Sequence, residues 1–87
     1  MSNYSRFYHD NFIRDLKRIK ANPELRIRLE DKIEEIMESP NHYKTLRNVL
    51  KGRRRVHLGS FVLVFEVIEE ANVVIFHKFR HHDEVYK

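Results

Sequence analysis

RVHLGSFVLVFEVIEEANVVIFHK, residues 55–78, decides the fold. Apolar residues recur in it with a period of two, the spacing of a strand, and two short polar breaks divide it. The pattern predicts three strands at about 53–58, 60–69 and 72–78. Gly59-Ser60 suits a tight hairpin turn that needs glycine first, and Glu69–Asn72 suits a looser one. The middle strand is apolar on both faces, Phe61, Leu63, Phe65 and Val67 against Val62, Val64 and Ile68, so it belongs at the centre of a sheet.

Upstream the period changes. NYSRFY, residues 3–8, is short, aromatic and roughly alternating, which predicts a first strand. Asp10 is the expected cap of a helix whose apolar stripe is Phe12, Ile13, Leu16 and Ile19, with Arg14, Asp15, Lys17, Arg18 and Lys20 on the polar side. Asn22-Pro23 ends it and opens a second helix over about 23–38, with Asn22 at the N-cap and Pro23 in the first turn, where a missing N–H costs nothing. Leu25, Leu29, Ile33, Ile36 and Met37 form its stripe, and Ser39-Pro40 stops it. Ile27 lies opposite that stripe, either a lone exposed apolar residue or part of a docking surface. The expected architecture is α+β in one domain spanning residues 1–87: an N-terminal strand, a two-helix hairpin, then a three-stranded antiparallel sheet, in the order β-α-α-β-β-β.

A chain of 87 residues supports one modest core. It has no cysteine, which excludes disulfides, a thiolate nucleophile and thiolate metal centres, and makes a reducing cytoplasm the expected location. No stretch approaches the ~18 apolar residues of a membrane span. The net charge of +4 is unevenly placed, since residues 1–43 hold eight cations and eight anions while residues 44–87 hold nine against five. KTLRNVLKGRRR, residues 44–55, carries six cations and no carboxylate. A block of that kind suits a polyanion, with RNA or DNA as the first candidate.

Other chemistries find less support. His77, His81, His82, Asp83 and Glu84 are ligands in kind, with His57 able to approach across a sheet, but their spacing fits no established zinc pattern and cations surround them. No metal or other cofactor is expected. There is no G-x-S-x-G elbow, and two glycines, Gly52 and Gly59, cannot build a phosphate-cradling loop. What remains is a cationic sheet face. Arg53, Arg55 and His57 share one side of the first hairpin strand, and the closing segment HKFRHHDEVYK, residues 77–87, brings Lys78, Arg80 and Tyr86. Composition alone leaves two readings open, RNA binding or a basic edge that discourages strand-to-strand aggregation.

A helical hairpin stopped by Glu38-Ser39-Pro40, then Lys44-Thr45-Leu46-Arg47, then RRVHLGSFVLVFEV, and last a strand running into an F-R-x-x-x-E-V-Y ending, resembles the RelE/ParE superfamily of bacterial and archaeal toxins over nearly the whole chain. It looks most like the RelE branch. The resemblance implies a toxin neutralised by a cognate antitoxin, cutting mRNA in the ribosomal A site against rRNA, without a metal. The ribose 2′-hydroxyl would attack the adjacent phosphodiester, which needs a base, cations for the developing charge and a surface for splayed bases. Carried onto this chain, the catalytic positions fall on Arg55, His57, Arg80 and Tyr86, with Lys44, Arg47, Lys51, Arg53, Arg54 and Lys78 as RNA-binding cations. Arg80 would offset transition-state charge, Arg55 hold phosphate, and Tyr86 stack on a base or orient the 2′-hydroxyl.

Two residues depart from that pattern. His57 stands where the family usually has lysine, so an imidazole would serve as base near neutral pH. Val62 occupies the place where the family commonly carries a catalytic arginine, and valine can neither bind phosphate nor stabilise charge. Val62 implies an attenuated catalyst, or favours a non-catalytic basic protein that binds RNA or antitoxin, and the resemblance separately admits a ParE-like inhibitor of DNA gyrase.

Overall fold

The computed structural model describes residues 3–42 and 52–85. In chain order the elements are β1 (Ser5–Tyr8), α1 (Asp10–Arg18), α2 (Pro23–Glu38), a 3-10 turn (Pro40–His42), β2 (Arg53–Leu58), β3 (Phe61–Ile68), a second 3-10 turn (Glu69–Ala71), β4 (Val73–His81) and α3 (His82–Val85). β2, β3 and β4 pair antiparallel in sequence order, as their alternation requires. β3 is central. Gly59 takes φ +59° in the two-residue turn between Leu58 and Phe61, and Asn72 takes φ +52° at the other connection.

β1 enlarges the expected sheet. It pairs parallel to β4, Ser5 with Val73 through Tyr8 with Phe76, giving four strands in the order β1-β4-β3-β2 and a mixed sheet. The two helices between β1 and β2 supply the long connection that parallel pairing needs. Both pack on one face of the sheet. Phe12 and Ile19 of α1 and Leu25, Leu29, Ile33, Ile36 and Met37 of α2 meet Leu58, Leu63, Phe65, Val74, Phe76 and Phe79 in one cluster.

Details of the helices differ from expectation. The cap of α1 is His9, whose Nδ1 accepts from the Asn11 N–H, and Asp10 is the first helical residue, where a carboxylate suits the positive end of the dipole. Ile13 is exposed. Asp15 replaces it in the buried stripe with Phe12 and Ile19, at 1% exposure. For α2 the reading from sequence matches: Asn22 Oδ1 accepts from the Leu25 N–H, Pro23 opens the helix, and Ile27 stands exposed.

β4 runs three residues further than the alternation suggested, because a bulge resets its phase. Phe65 pairs with Phe76 but Val64 pairs with Lys78, so His77 is an extra residue. Before it, Val74 and Phe76 face the helices; after it, Phe79 does, and Lys78 and Arg80 turn to the opposite face. β1 stops at Tyr8, which leaves the far half of β4 as an edge. The Asp15 carboxylate fills that gap: its Oδ2 accepts the Phe79 N–H at 2.9 Å and the Arg80 Nε at 3.1 Å, with Oδ1 3.3 Å from the same Nε.

Among the described residues no helix is long and apolar enough to cross a membrane.

Two outcomes follow from this packing. Asp15→Ala strands a half-buried guanidinium and an edge N–H together, and removing one partner of a buried pair costs about 3–5 kcal/mol. Its unfolding midpoint in urea should fall well below that of Asp15→Asn, which keeps an acceptor for the Phe79 N–H; equal midpoints would show that the carboxylate does not hold β4. His77 sits largely buried with Nε2 2.9 Å from Glu66 Oε1, and desolvation holds its imidazole below the ordinary range in spite of that carboxylate. The unfolded chain therefore takes up the proton first as pH falls below about 6.5, so stability present above that pH is lost below it. Urea midpoints at pH 7.5 and 5.5 should differ less in His77→Gln than in the parent, and an unchanged difference would remove His77 as the source.

Candidate functional site

Register defines the site. On the sheet face turned away from α1 and α2, Arg55, Val64 and Lys78 lie in one cross-strand row, and His57, Val62 and Arg80 in the next. Strands are about 4.8 Å apart, so His57 and Arg80 are separated by roughly 10 Å of backbone with Val62 between them. Val62 and Val64 are fully buried yet stand outside the helix-packed cluster. They form an apolar floor flanked by four basic side chains. A third row, Arg53, Glu66 and Ile75, closes one end. There Glu66 lies 4.0 Å from Arg53 and 2.9 Å from His77, so part of the Arg53 charge is already answered.

Arg80 is the best-defined cation. Its side chain is 28% exposed, and among the described residues its hydrogen bonds all leave from Nε to Asp15. One edge of the guanidinium is thus clamped, and the Nη groups are the part able to meet an anion. Arg18 lies 3.9 Å from Asp15 and 3.7 Å from Glu84, which brings α1 and α3 together beside it.

His57 is exposed, and its ring centroid lies 5.9 Å from that of His82 with a 33° tilt between planes. The His82 N–H donates to the Ser60 carbonyl at 2.7 Å, pinning the start of α3 to the hairpin that carries His57. The closing segment therefore returns to the open face. His81 turns the other way, edge-on to Phe61.

The sequence candidates divide accordingly. Arg55, His57, Lys78 and Arg80 share the open face, and Arg53 lies at its end. Arg54 does not join them. It pairs with Phe65 on the helix side, where Nη2 donates to Asn41 Oδ1 at 2.9 Å, and Asn41 in turn donates to Tyr4, whose hydroxyl donates to Glu69. The cause is the period of two: between Arg53 and Arg55, residue 54 must point the other way. Tyr86, Lys44, Arg47 and Lys51 lie outside the described residues. Asp15 was missed as the partner of Arg80, although its spacing from Phe12 and Ile19 puts it in phase with the buried stripe. Among the described residues no three histidine or acidic side chains converge as a metal site requires.

Comparison with known proteins gives one consistent picture. The family model described as ParE toxin of type II toxin–antitoxin systems matches residues 7–86. A protein of Methanocaldococcus jannaschii named as a candidate toxin, RelE4, is 48% identical over 75 residues, 85% of this chain and 72% of its own. The toxin in the intact E. coli RelBE toxin–antitoxin complex superimposes with a TM-score of 0.77 at 26% identity, over 90% of this chain and 95% of that one. A double arginine-to-alanine variant of free E. coli RelE gives 0.78 at 25% identity, over 99% and 92%. By the family match across nearly its whole length, this chain belongs to the ParE toxin family of type II toxin–antitoxin systems, within the RelE/ParE superfamily.

Proposed function

We propose that this toxin acts on RNA, taking mRNA in the ribosomal A site onto the open face of its sheet and cutting it without a metal ion. An antitoxin protein, acidic in part and extended or helical, neutralises it by covering that face. The observation that carries the reading is the adjacency of two rows, Arg55 with Lys78 and His57 with Arg80, over a valine floor. Two cations in adjacent rows of one strand, Lys78 and Arg80 on β4, suit successive phosphates, and a base within the same patch suits the ribose hydroxyl next to one of them. The antitoxin follows by analogy with the E. coli RelBE complex.

In this reading His57 takes the 2′-hydroxyl proton while that oxygen attacks phosphorus. Arg55 holds the non-bridging oxygens, and Arg80, its Nε fixed by Asp15, turns its Nη groups to the charge that develops on them. Because the Asp15 clamp is built before substrate arrives, little reorganisation is needed during reaction. The products are a 2′,3′-cyclic phosphate and a freed 5′-hydroxyl. Tyr86, beyond the described residues, completes the site by stacking on a base or orienting the 2′-hydroxyl. Val62 supplies no charge between His57 and Arg80, and removing one such electrostatic interaction lowers a rate by about 10²–10³, so the toxin is a slow one.

The family match favours a second reading, inhibition of DNA gyrase. Primer extension on mRNA translated in a cell-free system separates the two. Cuts at codon positions are expected, slower by roughly 10²–10³ in Arg80→Ala and faster in Val62→Arg. Arg80→Lys keeps a cation against Asp15 and controls for folding. Uncut mRNA together with blocked supercoiling by gyrase would replace the RNA reading with the second, and neither effect would leave a non-catalytic basic protein.

A further inference from the structure

The alternation of β1 leaves one aromatic side chain that the core does not use. Arg6 reaches Glu34 of α2, and Tyr8 packs edge-on to Phe12 and Phe76. Phe7, between them, projects from the opposite, open face, where it is 58% exposed. It extends the third row of that face to four residues: Phe7, Ile75, Glu66 and Arg53. We propose that this row holds one nucleobase of the bound RNA, with Phe7 as the stacking ring and Glu66 as the acceptor that selects a nucleobase bearing an amino group. The inference rests on the RNA reading above and adds a specificity site to it.

A single exposed phenylalanine is ordinary on a protein surface, and position is what sets this one apart. Ile75 beside it, and Val73 and Ile68 in the next row, are only half-buried, so the ring stands on an apolar floor continuous with Val62 and Val64 under the cations. The other exposed large apolar residues, Ile13 and Ile27, stand on the helices and join no cationic row. Cations that track a backbone and a ring that stacks its nucleobases are the two parts of a single-stranded RNA surface, and one sheet face carries both here. The row of Phe7 lies two residues along β3, roughly 7 Å, beyond the row of Lys78. An RNA strand with successive phosphates on Arg80 and Lys78 therefore brings its next nucleotide to Phe7.

Glu66 decides which part of that nucleotide is taken. A carboxylate repels a phosphate, so the strand passes this row with its nucleobase turned inward. Phe7 and Glu66 are two strand spacings apart, roughly 10 Å, with Ile75 between them, which leaves room for one nucleobase against the ring with its edge toward the carboxylate. Both contacts of Glu66 among the described residues, 4.0 Å to Arg53 and 2.9 Å to His77, run to Oε1, so Oε2 keeps its capacity to accept. An ionised carboxylate only accepts hydrogen bonds. It therefore suits the exocyclic amino group of cytosine, adenine or guanine, and opposes uracil, whose exocyclic groups are carbonyl oxygens.

The test measures affinity of the whole protein for single-stranded oligoribonucleotides of cytidine, adenosine or uridine over a range of salt. The parent should bind the cytidine and adenosine strands more tightly than the uridine strand. Phe7→Ala and Phe7→Leu should each weaken binding by roughly 5- to 150-fold, the effect of one lost stack, while Phe7→Tyr stays near the parent. Their salt slopes should equal that of the parent, since no phosphate contact is lost. Glu66→Gln, whose amide both donates and accepts, should erase the disadvantage of uridine. Parent-like affinity in Phe7→Leu, or a uridine disadvantage that survives Glu66→Gln, would overturn the inference and leave the RNA reading standing. A parent that forms a dimer which Phe7→Ala dissolves, with RNA affinity unchanged, would give the row to a second copy of the chain instead. RNA binding by the parent that does not respond to salt would overturn the RNA reading, and this inference with it.

Discussion

One extra residue in β4 governs what this protein presents to its surroundings. Without the bulge at His77, the alternation that buries Val74 and Phe76 would carry Lys78 and Arg80 onto the helix side, into the core, and turn Phe79 to solvent. The slip keeps Phe79 buried and sends both cations to the open face. Its cost is an imidazole held in a mostly buried place, answered by Glu66 at 2.9 Å. Asp15 then secures the reset strand. By accepting the Phe79 N–H where β1 has ended, and the Arg80 Nε beside it, one carboxylate completes the ladder edge and aims the guanidinium. Helix packing and site geometry thus meet in a single residue of α1.

Much of this was legible in the sequence, for definite reasons. Strands β2, β3 and β4 follow from alternation, their turns from Gly59 and Asn72, and α2 from its stripe and its Asn22-Pro23 start, all of which are local signals. The parallel pairing of β1 with β4 was not, because four residues of strand say nothing about which distant edge they join. Nor was the bulge. VVIFHKFRH contains two alternations of opposite phase, and only the register against β3 shows where one yields to the other.

The candidate site was read in the same uneven way. Period two brought Arg53, Arg55 and His57 to one face and should also have set Arg54 apart, since it lies between two of them. Asp15 was assigned to the polar side of α1 on chemical type, although its position matches the buried stripe; a carboxylate in phase with core residues is a signal in itself, for it must have a partner. Its partner, Arg80, lies 65 residues away, which no local pattern reveals. His82 drew notice only as a ligand in kind, and its nearness to His57 depends on a backbone bond to Ser60.

The central claim is that the open face, carrying Arg55, Lys78 and Arg80, is the surface that meets RNA. The salt dependence of RNA affinity tests it most directly, because each phosphate that a variant no longer neutralises reduces the slope of log K against log salt by about 0.7 for single strands. Arg55→Gln and Lys78→Gln should each reduce that slope by about this amount, while Arg54→Gln, on the helix side, should leave it unchanged. Equal slopes for the parent, Arg55→Gln and Lys78→Gln, or a reduction confined to Arg54→Gln, would contradict the account.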